Sequence, residues 1–359
     1  MTPATARGAV DIPAPVPQPF VGGIRHPELW LWDSWVVRVD RALHLYCLAL
    51  ARRTCEGRPI GLREFNDYPF HYRRFDSTDD GRSWRDRGAV MRPGNVADGS
   101  DARNVWSGGV HHLGGERILF GYTGISANGP AHHFVQSAIF AQGTVDGPVA
   151  FPERAQSHPI RDRDAILAAG YYVSEREGLG SDFGEGEGPL LAWRDPFIFE
   201  APGGGLRAVW SGKLTDRVPA VVHARLHRDG AQWRTELLPP IRLPDATAFT
   251  QAEVPKICRD RDTGEWLLMV SACDRLQESQ PDSEVVKELR LYRSGALAGP
   301  WRPAFSHGSV IPDTGHYFGA CFLDAEVSGG RARVLSPYWA AAPDGLPMSI
   351  APVFDVPTA

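Results

Sequence analysis

Long apolar runs are missing from this chain. None approaches the roughly 20 residues that a membrane-crossing helix needs, so no helical span and no membrane partner are expected. An excess of positive charge is missing too: 38 Lys and Arg stand against 43 Asp and Glu, for a formal charge of -5. That balance argues against electrostatic binding to nucleic acid or to an anionic bilayer. Cysteine is scarce. Cys47, Cys55, Cys258, Cys273 and Cys321 are odd in number and show no CxxC spacing, so neither a disulfide framework nor a zinc site is expected. The N-terminal MTPATARGAVDIPAPVPQPF lacks the basic start and apolar run of a secretory leader. A reducing cytoplasm is the expected compartment, with export by a leader-independent route left open. Sustained 3.6-residue periodicity is also absent, apart from a short helical stretch near Arg161 to Ala169.

What is abundant points to turns and strands. The 38 Gly, 30 Pro and 43% hydrophobic residues suit a compact, turn-rich, all-β protein. Eleven Trp supply flat apolar faces that suit sugar rings, although Trp is also ordinary core material. At 359 residues the chain has room for one large domain or two ordinary ones. It reads as an N-terminal extension, 1–27, followed by a single domain, 28–359.

One unit recurs along that domain: a polar residue, an apolar strand, a turn-rich gap and a second apolar strand. The copies begin at Asp33 (DSWVVRVDRALHLYCLALA), Ser107 (SGGVHHLGGERILFGYTG), Asp195 (DPFIFEAPGGGLRAVWSG), Glu253 (EVPKICRDRDTGEWLLMVSA) and, more weakly, Gly319 (GACFLDAEVSGGRARVLSPYW). The gaps hold hairpin formers: Gly114-Gly115, Gly203 to Gly205, Thr263-Gly264 and Gly329-Gly330. Outer strands turn at Asp79-Asp80-Gly81 and at Asp229-Gly230. Intervals of roughly 60–90 residues leave room for a four-stranded sheet each time, and five such sheets arranged radially make a five-bladed β-propeller. A β-sandwich with coincidental spacing is the alternative; the shared internal layout favours the propeller.

In a propeller the first strand of each blade lines the axis. Asp33, Asp195 and Glu253 hold the same place in three repeats, so they are expected to converge on one funnel. A lone Asp before a strand is usually a turn cap. Three carboxylates brought together repel one another, a cost that a purely structural role rarely justifies.

At these residues the chain resembles the levansucrase group, glycoside hydrolase family 68, with some character of the fructosidases of family 32. The resemblance rests on Trp32-Asp33-Ser34-Trp35, Trp106-Ser107-Gly108, Arg194-Asp195-Pro196 and Glu253-Val254-Pro255, in the family's order, and spans roughly residues 28 to 340. It implies a five-bladed propeller that acts on β-fructofuranosides such as sucrose with retention of configuration, transferring the fructosyl unit to water or to another sugar. By position it makes Asp33 the nucleophile, Asp195 the transition-state stabiliser and Glu253 the general acid/base. Cleavage of a ketofuranoside develops positive charge at the anomeric carbon, so an ionised carboxylate there lowers the barrier. Glu253 must start protonated, and two neighbouring anions would push its pKa the required way.

Around these, Trp32 and Trp106 are candidate walls of the sugar site and Ser107 a candidate hydrogen-bond partner of Asp33. Trp35 alternates with Asp33 and reads as core. Strand neighbours point to opposite faces, so Arg194 reaches substrate only if Pro196 bends the strand; otherwise it forms a structural ion pair. Arg275, in SACDR, resembles a substrate-contacting arginine of the family, with a surface role as the alternative. Family 68 usually has an acid where this chain has Gln251, and an arginine where it has Val254; Glu-Val-Pro leans toward the Glu-Cys-Pro of family 32. His111-His112 and His132-His133 are adjacent strand residues that cannot easily share a metal, so no metal and no other cofactor is expected. The acidic loop Gly184 to Gly188 repels phosphate and reads as a plain loop. The expected partner is a small carbohydrate. A pentose-releasing glycosidase on the same scaffold and a non-catalytic sugar-binding propeller are the competing readings.

Overall fold

The structure is a computed structural model, and it describes residues 10–61, 64–126, 134–175, 192–230, 232–277, 280–339 and 348–359. The chain builds a five-bladed β-propeller. Blade 1 consists of β1 (Phe20–Val21), β2 (Leu29–Val39), β3 (Ala42–Ala51), β4 (His71–Ser77) and β5 (Ser83–Met91), in the spatial order β1-β5-β4-β3-β2. Blade 2 is β6 (Asn104–His112), β7 (Ile118–Ser126), β8 (Val135–Thr144) and β9 (Gly147–Ala150). A short helix, α1 (Arg163–Ala168), lies within the stretch expected to be helical. Blade 3 is β10 (Arg194–Ala201), β11 (Gly205–Lys213), β12 (Pro219–Asp229) and β13 (Gln232–Ile241).

Blade 4 holds β14 (Gln251–Asp260), β15 (Trp266–Cys273), β16 (Lys287–Ser294) and β17 (Arg302–Pro303). Blade 5 is the most irregular. It opens with β18 (Cys321–Phe322); β19 (Glu326–Val327) then crosses to pair in parallel with β14. Next come β20 (Arg331–Leu335), the small ladder of β21 (Pro337–Tyr338) and β22 (Ser349–Ile350), and β23 (Phe354–Pro357), which pairs with β20.

The hairpins close as the sequence predicts. Gly114, Gly115, Gly203, Gly204, Gly264, Gly329 and Gly330 all take positive φ, as do Asp80, Gly81 and Gly230 in the outer turns. Five apolar clusters fill the five spaces between neighbouring blades. Trp35, Tyr46 and Tyr72 pack on Phe120 and Tyr122 between blades 1 and 2, and Phe140 packs with Trp193 and Trp210 between blades 2 and 3. Val209 and Val221 meet Ile257 and Leu268 between blades 3 and 4; Leu289 and Leu291 meet Phe322 and Val334 between blades 4 and 5. The last cluster, with Leu31, Leu45 and Phe75 against Leu335 and Ile350, joins blade 5 to blade 1 and closes the ring.

The segment before Glu28 stitches this closure. Ile24 exchanges two backbone hydrogen bonds with Ile350, while Phe20 and Val21 pair with Trp84 and Ser83 at the edge of blade 1. A buried pair holds it down: Arg73 binds both oxygens of Asp86 and also donates to the carbonyls of Pro13 and Ala14, while Asp86 accepts from the Val16 amide. Among the described residues no helix is long and apolar enough to cross a membrane.

Candidate active site

The innermost strands of blades 1 to 4 each break register once, near their N-terminal ends. The slips fall between Leu31 and Ser34 in β2, Trp106 and Gly108 in β6, Arg194 and Phe197 in β10, and Glu253 and Lys256 in β14. A bulge bends its strand and re-aims the side chains beside it. Pro196 and Pro255 have no N–H to give the ladder. Asp195 and Val254 adopt left-handed φ of 66° and 48°, conformations that cost free energy in non-glycine residues and gather where function requires them. Asp33, Ser107, Asp195 and Glu253 all sit at these bulges, and their side chains meet at one end of the axis.

Asp33 accepts a short hydrogen bond from the Ser107 hydroxyl across the gap between blades 1 and 2. Asp195 is buried, and its Oδ2 accepts from the Ser211 hydroxyl at 3.1 Å and from the Val254 amide at 3.0 Å. Its own amide donates to Thr123 Oγ1 at 2.8 Å, tying the bulge of blade 3 to blade 2. The Glu253 side chain is 18% exposed; Arg194 Nη2 lies 3.1 Å from its Oε1, and the Cys273 thiol lies 3.6 Å from the same oxygen.

Burial and crowding raise the two aspartates. Asp33 keeps some surface open, yet it sits deep enough that lost hydration is the main influence; repulsion from Asp195 adds to it, the Ser107 bond opposes it, and the result is a pKa of about 7. Asp195 is raised by burial first, against the pull of Arg194, and Glu253 raises it further. Tyr72, whose hydroxyl donates to the Trp106 carbonyl, is held well above its ordinary value by burial and by both aspartates.

Arg194 illustrates what the bulge does. A regular strand would send it away from the funnel; the left-handed turn at Asp195 brings both neighbours inward, so the guanidinium reaches Glu253 and passes 3.9 Å from Asp195 Oδ2. It also stands over the ring of the half-buried Trp106, 5.9 Å from the centroid. Trp32, on the other flank, packs edge-on against Phe65 and Phe70. Trp35 is fully buried core. Gln251 is buried, with its amide reaching the Arg275 carbonyl at 3.5 Å and its Oε1 without a protein partner among the described residues. Arg275 points its guanidinium at the Gln280 carbonyl and at Asp282 within its own loop. Val254 buries its side chain and turns its amide to Asp195. His112 Nε2 lies 2.7 Å from the Gly115 carbonyl in its hairpin. His132, His133 and the loop Gly184 to Gly188 lie outside the described residues.

Sequence reasoning missed Thr123, Ser211 and Lys256. The first two are ordinary hydroxyls on second strands, and only blade geometry brings them to Asp195. Lys256 left a signal: a lone cation inside the apolar axial strand EVPKIC.

No protein-family model matches the sequence, and no curated protein matches it. Solved structures do. An inulosucrase from Halalkalicoccus jeotgali bound to kestose superposes with a TM-score of 0.66 over 99% of this chain and 90% of that one, at 18% identity. The Bacillus subtilis levansucrase gives 0.64 over 94% and 86%, at 14% identity. A B. megaterium levansucrase variant gives 0.62 over 99% and 90%, at 15% identity. The fold is that of the levansucrases and inulosucrases. The likeness runs over nearly the whole chain, so the acid-lined end of the axis lies within the shared architecture.

Proposed function

We propose that this chain is a retaining fructosyl hydrolase or transferase, acting on β-fructofuranosides such as sucrose or fructo-oligosaccharides through a covalent fructosyl-enzyme. The observation that carries the reading is the meeting of Asp33, Asp195 and Glu253, from three different blades, at one end of the axis of this propeller. Kestose and sucrose are bound in structures that share the fold, which supports a small fructoside as substrate.

Asp33 attacks the anomeric carbon as the glycosidic bond breaks, and Glu253 gives its proton to the departing sugar oxygen. In the second half Glu253 takes the proton of a water or an acceptor hydroxyl, whose oxygen displaces Asp33. Asp195 grips ring hydroxyls with Oδ1, since Oδ2 is occupied by Ser211 and Val254. Those hydrogen bonds strengthen as the ring flattens and positive charge builds. Ser107 fixes the rotamer of Asp33, and Arg194 holds Glu253 against the scissile bond.

Incubation with sucrose, followed by analysis for glucose, fructose and oligomers, tests the proposal. Glucose should appear together with free fructose or fructo-oligomers. Pentose release from arabinan or xylan with sucrose untouched would favour the glycosidase rival, and sugar binding without turnover would favour a binding module.

A further inference from the structure

Lys256 lies on the axial strand of blade 4, three residues beyond Glu253, and is fully buried. Lysine is almost never enclosed unless something compensates its charge. Its Nζ crosses the axis to donate to the Gly108 carbonyl of blade 2 at 2.9 Å, passing over the Phe197 ring of blade 3 at 5.1 Å from the centroid. That hydrogen bond goes to backbone. The carboxylate oxygens of Asp33 and Asp195 are left to hydroxyl and amide donors, while the ammonium charge acts on both through an interior that screens poorly.

The charged and titratable groups around this ammonium come from several blades. Asp33 of blade 1, Asp195 of blade 3 and Cys321 of blade 5 act on it directly, while Tyr72 of blade 1, Arg194 of blade 3 and Glu253 of its own strand act on the same two aspartates. Blade 2 contributes uncharged groups among its described residues, the Ser107 hydroxyl and the Gly108 carbonyl. Arg194 is committed to Glu253 and Asp195 at the mouth, while Lys256 is anchored on Gly108, the neighbour of the Ser107 that holds Asp33, and adds a positive charge that acts on Asp33.

We propose that Lys256 is a positioning residue for the fructosyl chemistry: its buried charge, anchored across the axis on Gly108, keeps Asp33 ionised for attack. The inference rests on the retaining reading of the same site. Burial lowers Lys256 to about 8; Cys321 opposes that fall most, followed by Asp195 and Asp33.

The test uses K256M, which removes charge and donor, and K256Q, which keeps a donor alone. The carboxyl signal of Asp33 is titrated by NMR in protein carrying 13C-labelled aspartate, assigned by its loss in D33N, alongside the pH profile of fructose release from sucrose. In both variants Asp33 should titrate at higher pH than in the parent, and the acid limb of the rate profile should move with it. Asp33 titrating as in the parent in either variant would overturn the inference, and so would parental behaviour in K256Q alone, which would leave Lys256 only a staple. If neither variant folds, D33N is added to K256M. Restored folding supports the charge account, and a double variant as unfolded as K256M contradicts it. A parent that titrates as described but releases no fructose would sink the fructosyl reading while leaving the Lys256–Asp33 coupling measured.

Discussion

Gly319 faces the carboxylate of Asp33 so closely that a Cβ on it would collide with Oδ1. Gly319 starts the fifth repeat, the place filled by Asp33, Ser107, Asp195 and Glu253 in the others. Its φ of 75° suits glycine, and its amide donates to Ser271 Oγ at 2.8 Å. At this position blade 5 therefore gives the funnel room rather than a side chain.

Gly319→Ala should displace Asp33 while leaving the blade cores intact. A misplacement of about 1 Å at a nucleophile costs roughly 10²-fold in rate, so kcat for fructose release should fall by about that factor or more. A parental kcat in a folded variant would show that Asp33 does not need its observed position.

The acid limb of activity follows from Asp33. With its pKa raised to about 7 by burial and by Asp195, kcat/KM should fall as pH drops through about 7, because only the ionised carboxylate attacks. A limb two or more pH units lower would mean that another group governs it.

The same shift has a stability consequence of opposite sense. A carboxyl raised in the folded state favours folding below its unfolded pKa, and that contribution is lost as pH rises through about 7. Asp33→Asn removes the buried charge, so its gain in Tm over the parent should be larger at pH 8 than at pH 5. The difference corresponds to no more than about 3 kcal/mol, since Asp33 keeps some solvent contact. Equal effects at both pH values in thermal melts would contradict it.

How much of this was legible in the sequence depends on what each feature needs. The shared phase of Asp33, Ser107, Asp195 and Glu253, and the glycines of the hairpins, follow from period-2 alternation and turn chemistry, and both could be read directly. The bulges could not. One unpaired residue leaves alternation intact around it, so the sequence left open whether Arg194 faces the funnel, and the turn at Asp195 swings it in. Nor could the depth at which the fold sets Asp33 and Asp195, which raises both carboxyls, be read from the sequence. The hold on the N-terminal segment was equally hidden, because Arg73 and Asp86 look like surface charges until folding encloses them.

That hold predicts a stability effect remote from the chemistry. Arg73→Met leaves buried Asp86 without its guanidinium and frees the carbonyls of Pro13 and Ala14. Breaking a buried pair in this way costs about 3–5 kcal/mol. Denaturant melts should register that loss, and limited proteolysis should open the chain near Pro13 to Ile24. Full stability in the variant would mean that the pair adds nothing to ring closure.

The most direct test of the central claim is the covalent intermediate itself. Glu253→Gln cannot protonate a leaving sugar or activate water, but a fructosyl fluoride leaves without protonation, so the variant should form the fructosyl ester and then stall. Mass spectrometry of the digested protein should find one fructosyl unit on the peptide bearing Asp33. An adduct elsewhere, or fluoride release with no adduct at all, would contradict the assignment of Asp33 as the attacking carboxylate.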